Sequence, residues 1–131
     1  MKSVMISIHP KWCELIANGK KTVEVRKTKP KIETPFRCFI YETKGKIPVS
    51  KSLDKICGGI VIGEFVCDKI LSIWSGYAGT DGDDCLSFDE REAYLGAKMG
   101  YGWHISDLQI YDKPKELSEF GLKRPPQSWC Y

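Results

Sequence analysis

The residues best suited to chemistry in this 131-residue chain stand close together: Lys20, Lys21, Thr22, Glu24 and Arg26, preceded by His9 and Trp12. Lysine and arginine donate charge-assisted hydrogen bonds that suit phosphate, arginine through two parallel N–H groups. A glutamate between them can accept from a base amino group or orient its basic neighbours. Trp12 can offer a stacking face to a base. Each residue also has a plainer role. A Glu/Arg pair on an exposed strand contributes little, and an aromatic residue at helical spacing, as Trp12 is, favours the core.

The elements that must position these residues can be read from periodicity. Val4 to Ile8 is apolar and β-branched enough for a first strand, and Pro10 suits the first turn of a helix. Trp12, Leu15 and Ile16 fall at i, i+3 and i+4, with Cys13 and Ala17 beside them, and Asn18-Gly19 is a helix stop. Thr22 to Arg26 alternates with period two. Val23 and Val25 therefore face the core, while Thr22, Glu24 and Arg26 share an outward face along one lip of a groove.

Further on, Lys27 to Pro35 reads as a loop, Phe36 to Tyr41 as a third strand and Lys44 to Lys55 as an exposed basic connector. Ile56 to Ile70 is the most hydrophobic stretch and predicts a central strand, with glycines where backbones approach closely. Ser75 to Cys85 is a Gly/Asp-rich loop. Ser87 and Glu90 form a capping box that opens a helix to about Lys98. Tyr101 to Tyr111 predicts the final strand, Pro114 to Phe120 a helical turn closed by Gly121, and residues 122–131 an extended tail.

Composition narrows the classes. A chain with 42% hydrophobic and 28% charged residues is globular rather than disordered, and its length suits one domain, residues 1–131. No apolar run approaches the roughly 20 residues of a membrane span. The N-terminus turns polar at His9 and Lys11 before a signal-peptide core can form, so a cytoplasmic location is expected. Six cysteines lack both paired and zinc-like spacing; reduced, buried thiols and no metal are expected. Asp81, Asp83 and Glu92 mimic a calcium loop, but Cys85 and Leu86 occupy positions that need an oxygen ligand and the turn glycine. Neither a phosphate-binding Gly-Lys-Ser/Thr loop nor a G-x-S-x-G elbow occurs, and no cofactor is expected. Residues 1–55 carry 13 Lys/Arg against 5 Asp/Glu, and residues 56–131 carry 7 against 12. Such polarity either steers an anionic ligand to the basic side or merely solubilises a loop.

The run Gly19-Lys20-Lys21-Thr22-Val23-Glu24-Val25-Arg26 resembles the Gly-x-Lys-x-x-Glu-x-Arg signature of the ASCH domain, a branch of the PUA-like superfamily. Upstream, Ile8-His9-Pro10-x-Trp12-x-x-Leu15-Ile16 is similar to that family's preceding helix. The end of the chain, Tyr111-Asp112-x-Pro114-x-x-Leu117-x-x-Phe120 and Arg124 to Trp129, resembles small phage- and bacterium-associated members.

The resemblance implies an α+β fold, a PUA-like small mixed β-barrel flanked by short helices. It also implies a cleft between the first helix and the barrel that binds RNA or a nucleotide. Residue matching carries Lys21, Glu24 and Arg26 into that cleft, with His9 and Trp12 at its rim; outside that matching, Lys20 and the aromatics Tyr41 and Trp103, on neighbouring strands, are further candidate contacts. Some relatives are amidohydrolases of acetylated cytidine that use a lysine and a threonine here. Glu24 occupies that threonine's position, so an acylated-nucleoside or RNA hydrolase would rest on Lys21 and Thr22 with Glu24 assisting. A third reading is a protein-interaction module using the Trp129 tail. On the binding reading, Lys21→Ala with Arg26→Ala weakens RNA affinity and leaves the fold intact.

Overall fold

Apolar and β-branched residues dominate Ser3–Ile8 (β1), Phe36–Glu42 (β3) and Ile60–Ile73 (β6), and these strands lie side by side at the middle of a mixed sheet. The computed structural model describes residues 2–50, 53–74, 84–96 and 98–131. The other elements are α1 (Pro10–Ala17), β2 (Val23–Arg26), β4 (Gly45–Ser50), β5 (Leu53–Cys57), α2 (Phe88–Leu95), β7 (Gly100–Lys115), a 3₁₀ turn (Leu117–Phe120) and β8 (Trp129–Cys130).

Six strands follow the order β2-β7-β6-β3-β1-β8, with β1 parallel to β3 and every other pair antiparallel. The long β6–β7 pair changes register three times, between Val61/Gly63, Glu64/Val66 and Cys67/Ile70. Each irregularity bends its strand and adds twist, and the sheet curls into a half-barrel. Gly63 sits where an added Cβ would strike the backbone of Gln109 and Ile110, so only glycine permits the close approach of β6 and β7.

One face of the curl is filled by alternate residues of four strands: Val4, Ile6 and Ile8; Phe36, Cys38 and Ile40; Phe65 and Cys67; Trp103 and Ile105. Cys13 and Ile16 of α1 close over it. The opposite face buries Met5, Tyr41 and Val61 beneath Phe39, Leu117, Phe120 and Leu122. Val25, Ile73 and Leu95 form a third cluster that seats α2 against β2 and β6.

The predicted elements survive with five adjustments. Lys44 to Lys55 is no connector, because Gly45–Ser50 pairs antiparallel with Leu53–Cys57 as a separate two-stranded ribbon. The central strand starts at Ile60 rather than Ile56, since Gly58 and Gly59 adopt positive φ of 99° and 78° and break the extended run. Helix α2 keeps its Ser87/Glu90 capping box but stops at Leu95, where Gly96 takes φ 64°. Strand β7 runs through Pro114 to Lys115 and is not the last strand. The final segment is no free tail: Trp129 and Cys130 pair with Ile6 and Met5, and the Trp129 indole donates to Thr28 Oγ1 at 2.9 Å. The Asp81/Asp83 loop lies outside the described residues.

Cys13, Cys38 and Cys67 are buried, and Cys85 and Cys130 are half-buried. Burial, reinforced by Cys67, holds the Cys38 thiol well above its ordinary range; burial, then the Asp68 carboxylate, pushes Cys67 up to about 12. A thiol raised in the fold stays protonated there while the unfolded chain ionises near pH ~8.5. The stability it contributes is complete below that pH and is lost as pH rises through the folded value. Alkylation at about pH 7.5 is therefore expected to leave Cys38 and Cys67 unmodified in the native protein and to modify both in guanidinium, as read by peptide mass mapping. Native modification of either would contradict this packing.

Candidate functional site

Helix α1 starts at His9, whose extended backbone (φ −64°, ψ 148°) caps it ahead of Pro10, and ends where Asn18 and Gly19 turn back, Gly19 with φ 82°. The Lys21 amide donates to the Leu15 carbonyl at 3.0 Å, folding the chain under the helix. Lys21 is consequently 2% exposed. Strand β2 then pairs antiparallel with β7, setting Glu24 opposite Trp103 and Arg26 opposite Tyr101.

Lys21, Glu24 and Arg26 form one buried cluster. Lys21 Nζ lies 3.3 Å from Glu24 Oε1 and donates to the Asp84 carbonyl. Arg26 donates to Glu24 Oε2 through Nη2 at 2.8 Å and Nε at 3.3 Å. Its Nη2 also reaches the Ser7 carbonyl at 2.6 Å and its Nη1 the Ser128 hydroxyl at 3.1 Å. Arg26 thus ties edge strand β2 to β1 and the chain end, closing the half-barrel through side chains. Two cations share one carboxylate, so the cluster carries one net positive charge, and the Lys21 ammonium lies 5.0 Å from the Trp12 ring centroid, on a face that attracts cations.

The segment entering α2 is fixed by Asp84, which accepts from the Leu86 amide at 3.0 Å and pairs with Arg91 at 3.1 Å. Arg91 in turn donates to the Leu86 carbonyl at 2.8 Å. This holds the carbonyl that receives Lys21. Above the cluster opens a cleft of about 640 Å³, within the size range of small-ligand sites. Its walls are His9 and Trp12 on one side, Leu86, Glu90 and Tyr94 on another, and Gln127 and Ser128 from the chain end, with Ser7 and Thr43 between. Burial pushes the Tyr94 hydroxyl up against the lowering pull of Arg26, so it keeps its proton at neutral pH. Thr43 Oγ1 lies 3.3 Å from His9 Nδ1.

Five expected residues, His9, Trp12, Lys21, Glu24 and Arg26, thus meet in one cleft. Trp12 is half-buried, serving both core and cleft. Lys20 is exposed and does not line the cleft, nor does half-buried Thr22, whose carbonyl accepts from the Ile105 amide at 2.9 Å. Tyr41 and Trp103 are corrected to core residues. Tyr41 is 4% exposed beside Met5 and Val61, and Trp103 is fully buried between Phe36 and Trp129, its indole donating to the Thr28 carbonyl at 3.4 Å. The face shared by Glu24 and Arg26 is not outward either, because α1, α2 and the chain end cover it. Ser7, Thr43, Tyr94 and Ser128 carry no local sequence signal. Only the likeness of Arg124 to Trp129 to the family's chain ends hinted that the terminus belongs to the site.

A family model described as the ASCH domain matches residues 6–109. The chain belongs to the ASCH family. Among solved structures, this ASCH domain is similar to ASCH from Zymomonas mobilis, at 26% identity and a TM-score of 0.75 over 99% of this chain and 87% of the other. A tyrosine-to-phenylalanine mutant of the same Zymomonas mobilis protein matches at 25% identity and TM-score 0.75, over 100% of this chain and 90% of the other. No curated protein sequence matches the chain. The PUA-like half-barrel with two short helices is therefore the family fold. No helix among the described residues is long and apolar enough to cross a membrane.

Proposed function

We propose that this ASCH domain binds RNA or a nucleotide in the cleft between α1 and the barrel. The observation that carries the reading is the donor inventory of the buried cluster. Lys21 has three N–H donors, of which Glu24 and Asp84 take two; Arg26 has five, of which Glu24, Ser7 and Ser128 take four. Each cation keeps one donor for a ligand, and the cluster keeps one positive charge. A phosphate oxygen satisfies both requirements. Glu24 orients the two cations rather than reading a base, and the Trp12 and Tyr94 rings offer the stacking faces.

The pair His9–Thr43 favours a second reading. A hydroxyl beside an imidazole is the arrangement of an activated nucleophile, so hydrolysis of an acylated nucleoside or RNA would use Thr43 in place of Thr22, which stands outside the cleft. Incubation with a mixed RNA pool and a panel of acylated nucleosides, followed by mass spectrometry of retained ligand and released product, separates the two. Retained, intact RNA is the expected result. Released product that disappears in Thr43→Val would replace the binding reading by the hydrolytic one.

A further inference from the structure

Beside the cleft lies a second hollow, about 480 Å³, lined by Lys27, Lys29, Lys31 and Tyr101 together with Ile32 and Glu33. The two are continuous through the chain: Arg26 lines the cleft, Lys27 follows it into the hollow, and Tyr101 stands opposite Arg26 across the β2–β7 ladder. They also meet through side chains, since the Lys27 ammonium lies 4.9 Å from the ring centroid of Tyr94, a cleft residue. Lys29 sits 5.5 Å from the ring centroid of Tyr101.

Two features set these lysines apart. The salt bridges among the described residues involve Lys11, Lys21, Arg26, Arg37, Arg91 and His104, and none involves Lys27, Lys29 or Lys31. All three are exposed, and only Glu33 opposes them in the hollow. The loop that carries them is nevertheless held in shape. Trp129 donates to the Thr28 hydroxyl, Trp103 to the Thr28 carbonyl, and the Lys31 amide to the Tyr131 hydroxyl at 2.8 Å. Uncompensated cations interleaved with aromatic rings on a braced loop are what a single-stranded polynucleotide needs, cations for its backbone and rings for its bases.

We infer that this hollow extends the cleft and holds the sugar-phosphate chain that flanks the nucleotide bound there, so that the preferred ligand is a single-stranded RNA segment rather than a free nucleotide. The inference rests on the cleft reading above. It predicts that affinity grows with RNA length and that the gain resides in the three lysines.

The test compares wild type with the Lys27→Ala/Lys29→Ala/Lys31→Ala variant. Fluorescence anisotropy reads a random-sequence RNA hexamer, and ligand-observed NMR reads the four nucleoside 5′-monophosphates. Wild type is expected to bind the hexamer more tightly than any monophosphate. In the variant, hexamer affinity is expected to fall about tenfold or more and the slope of log K against log salt to flatten by about 2, as loss of three single-strand phosphate contacts requires. Monophosphate affinity is expected to fall much less than hexamer affinity, because none of the three lysines lines the cleft and only Lys27 touches a cleft residue, Tyr94. Unchanged hexamer affinity in the variant, with monophosphate binding intact, overturns the extension alone. Failure of wild type to bind either ligand overturns the cleft reading and the extension with it. A hexaglutamate peptide that binds as tightly as the RNA hexamer would make the hollow a general polyanion surface and overturn its assignment to RNA.

Discussion

Glu24→Ala is expected to lower the stability of this protein by about 3–5 kcal/mol, the loss typical when one partner is removed from a buried ion pair. The Glu24 side chain is 6% exposed and is the only carboxylate paired with both Lys21 and Arg26 among the described residues. Its removal leaves two like charges buried side by side, with Ser7, Asp84 and Ser128 as the remaining acceptors. Against a total of about 5–15 kcal/mol for a domain, the loss is large. Thermal unfolding should show it as a fall of roughly 10–20 °C in Tm. Glu24→Gln keeps the shape and one acceptor oxygen and should lose less, whereas exposed Glu92→Ala should stay within about 0.5 kcal/mol of wild type. A Glu24→Ala protein that melts with wild type would contradict the buried cluster.

The second large effect separates binding from folding. Lys21→Met is expected to keep the fold and weaken nucleotide or RNA binding by about 10- to 100-fold, the equivalent of one charge-assisted hydrogen bond. Methionine retains much of the apolar stem. Without Lys21 the cluster reduces to the Glu24–Arg26 pair, which is neutral and still hydrogen-bonded to Ser7 and Ser128. The stability loss then comes from the donor withdrawn from the Asp84 carbonyl and the partner withdrawn from Glu24 Oε1, about 1–3 kcal/mol for each. Tm measured beside a binding titration checks both halves. The double variant Lys21→Ala/Arg26→Ala, expected from sequence to remain folded, is by contrast a poor probe, because it strips Glu24 of both partners and buries an unpaired carboxylate.

Much of this arrangement is readable from the chain itself. The signature from Gly19 to Arg26, the strand before it and the capping box at Ser87 are local patterns, and each lies where its spacing predicts. The depth of Glu24 is not local. The residues that cover it arrive from far along the chain, Asp84 to meet Lys21 across 63 positions and Ser128 to meet Arg26 across 102. Strand alternation alone therefore misjudges the second face of β2 as solvent-facing. It misplaces Tyr41 and Trp103 for a related reason: period-two alternation gives two faces, and in a curled sheet covered on both sides either face can be core. The lysines and Pro48 hide the ribbon over Gly45–Ser50 and Leu53–Cys57, although Ile47 and Val49 do alternate with Lys46 and Pro48.

The most direct test of the central claim, that the surplus cation of the Lys21–Glu24–Arg26 cluster receives a nucleotide, is retained-ligand mass spectrometry on wild type and Lys21→Met side by side, with the Tm of each measured in the same buffer. Intact RNA is expected to be retained by wild type, with little or none retained by a folded Lys21→Met, and retention by wild type is expected to decline with salt. Equal retention by the two proteins, with both folded, would contradict that claim.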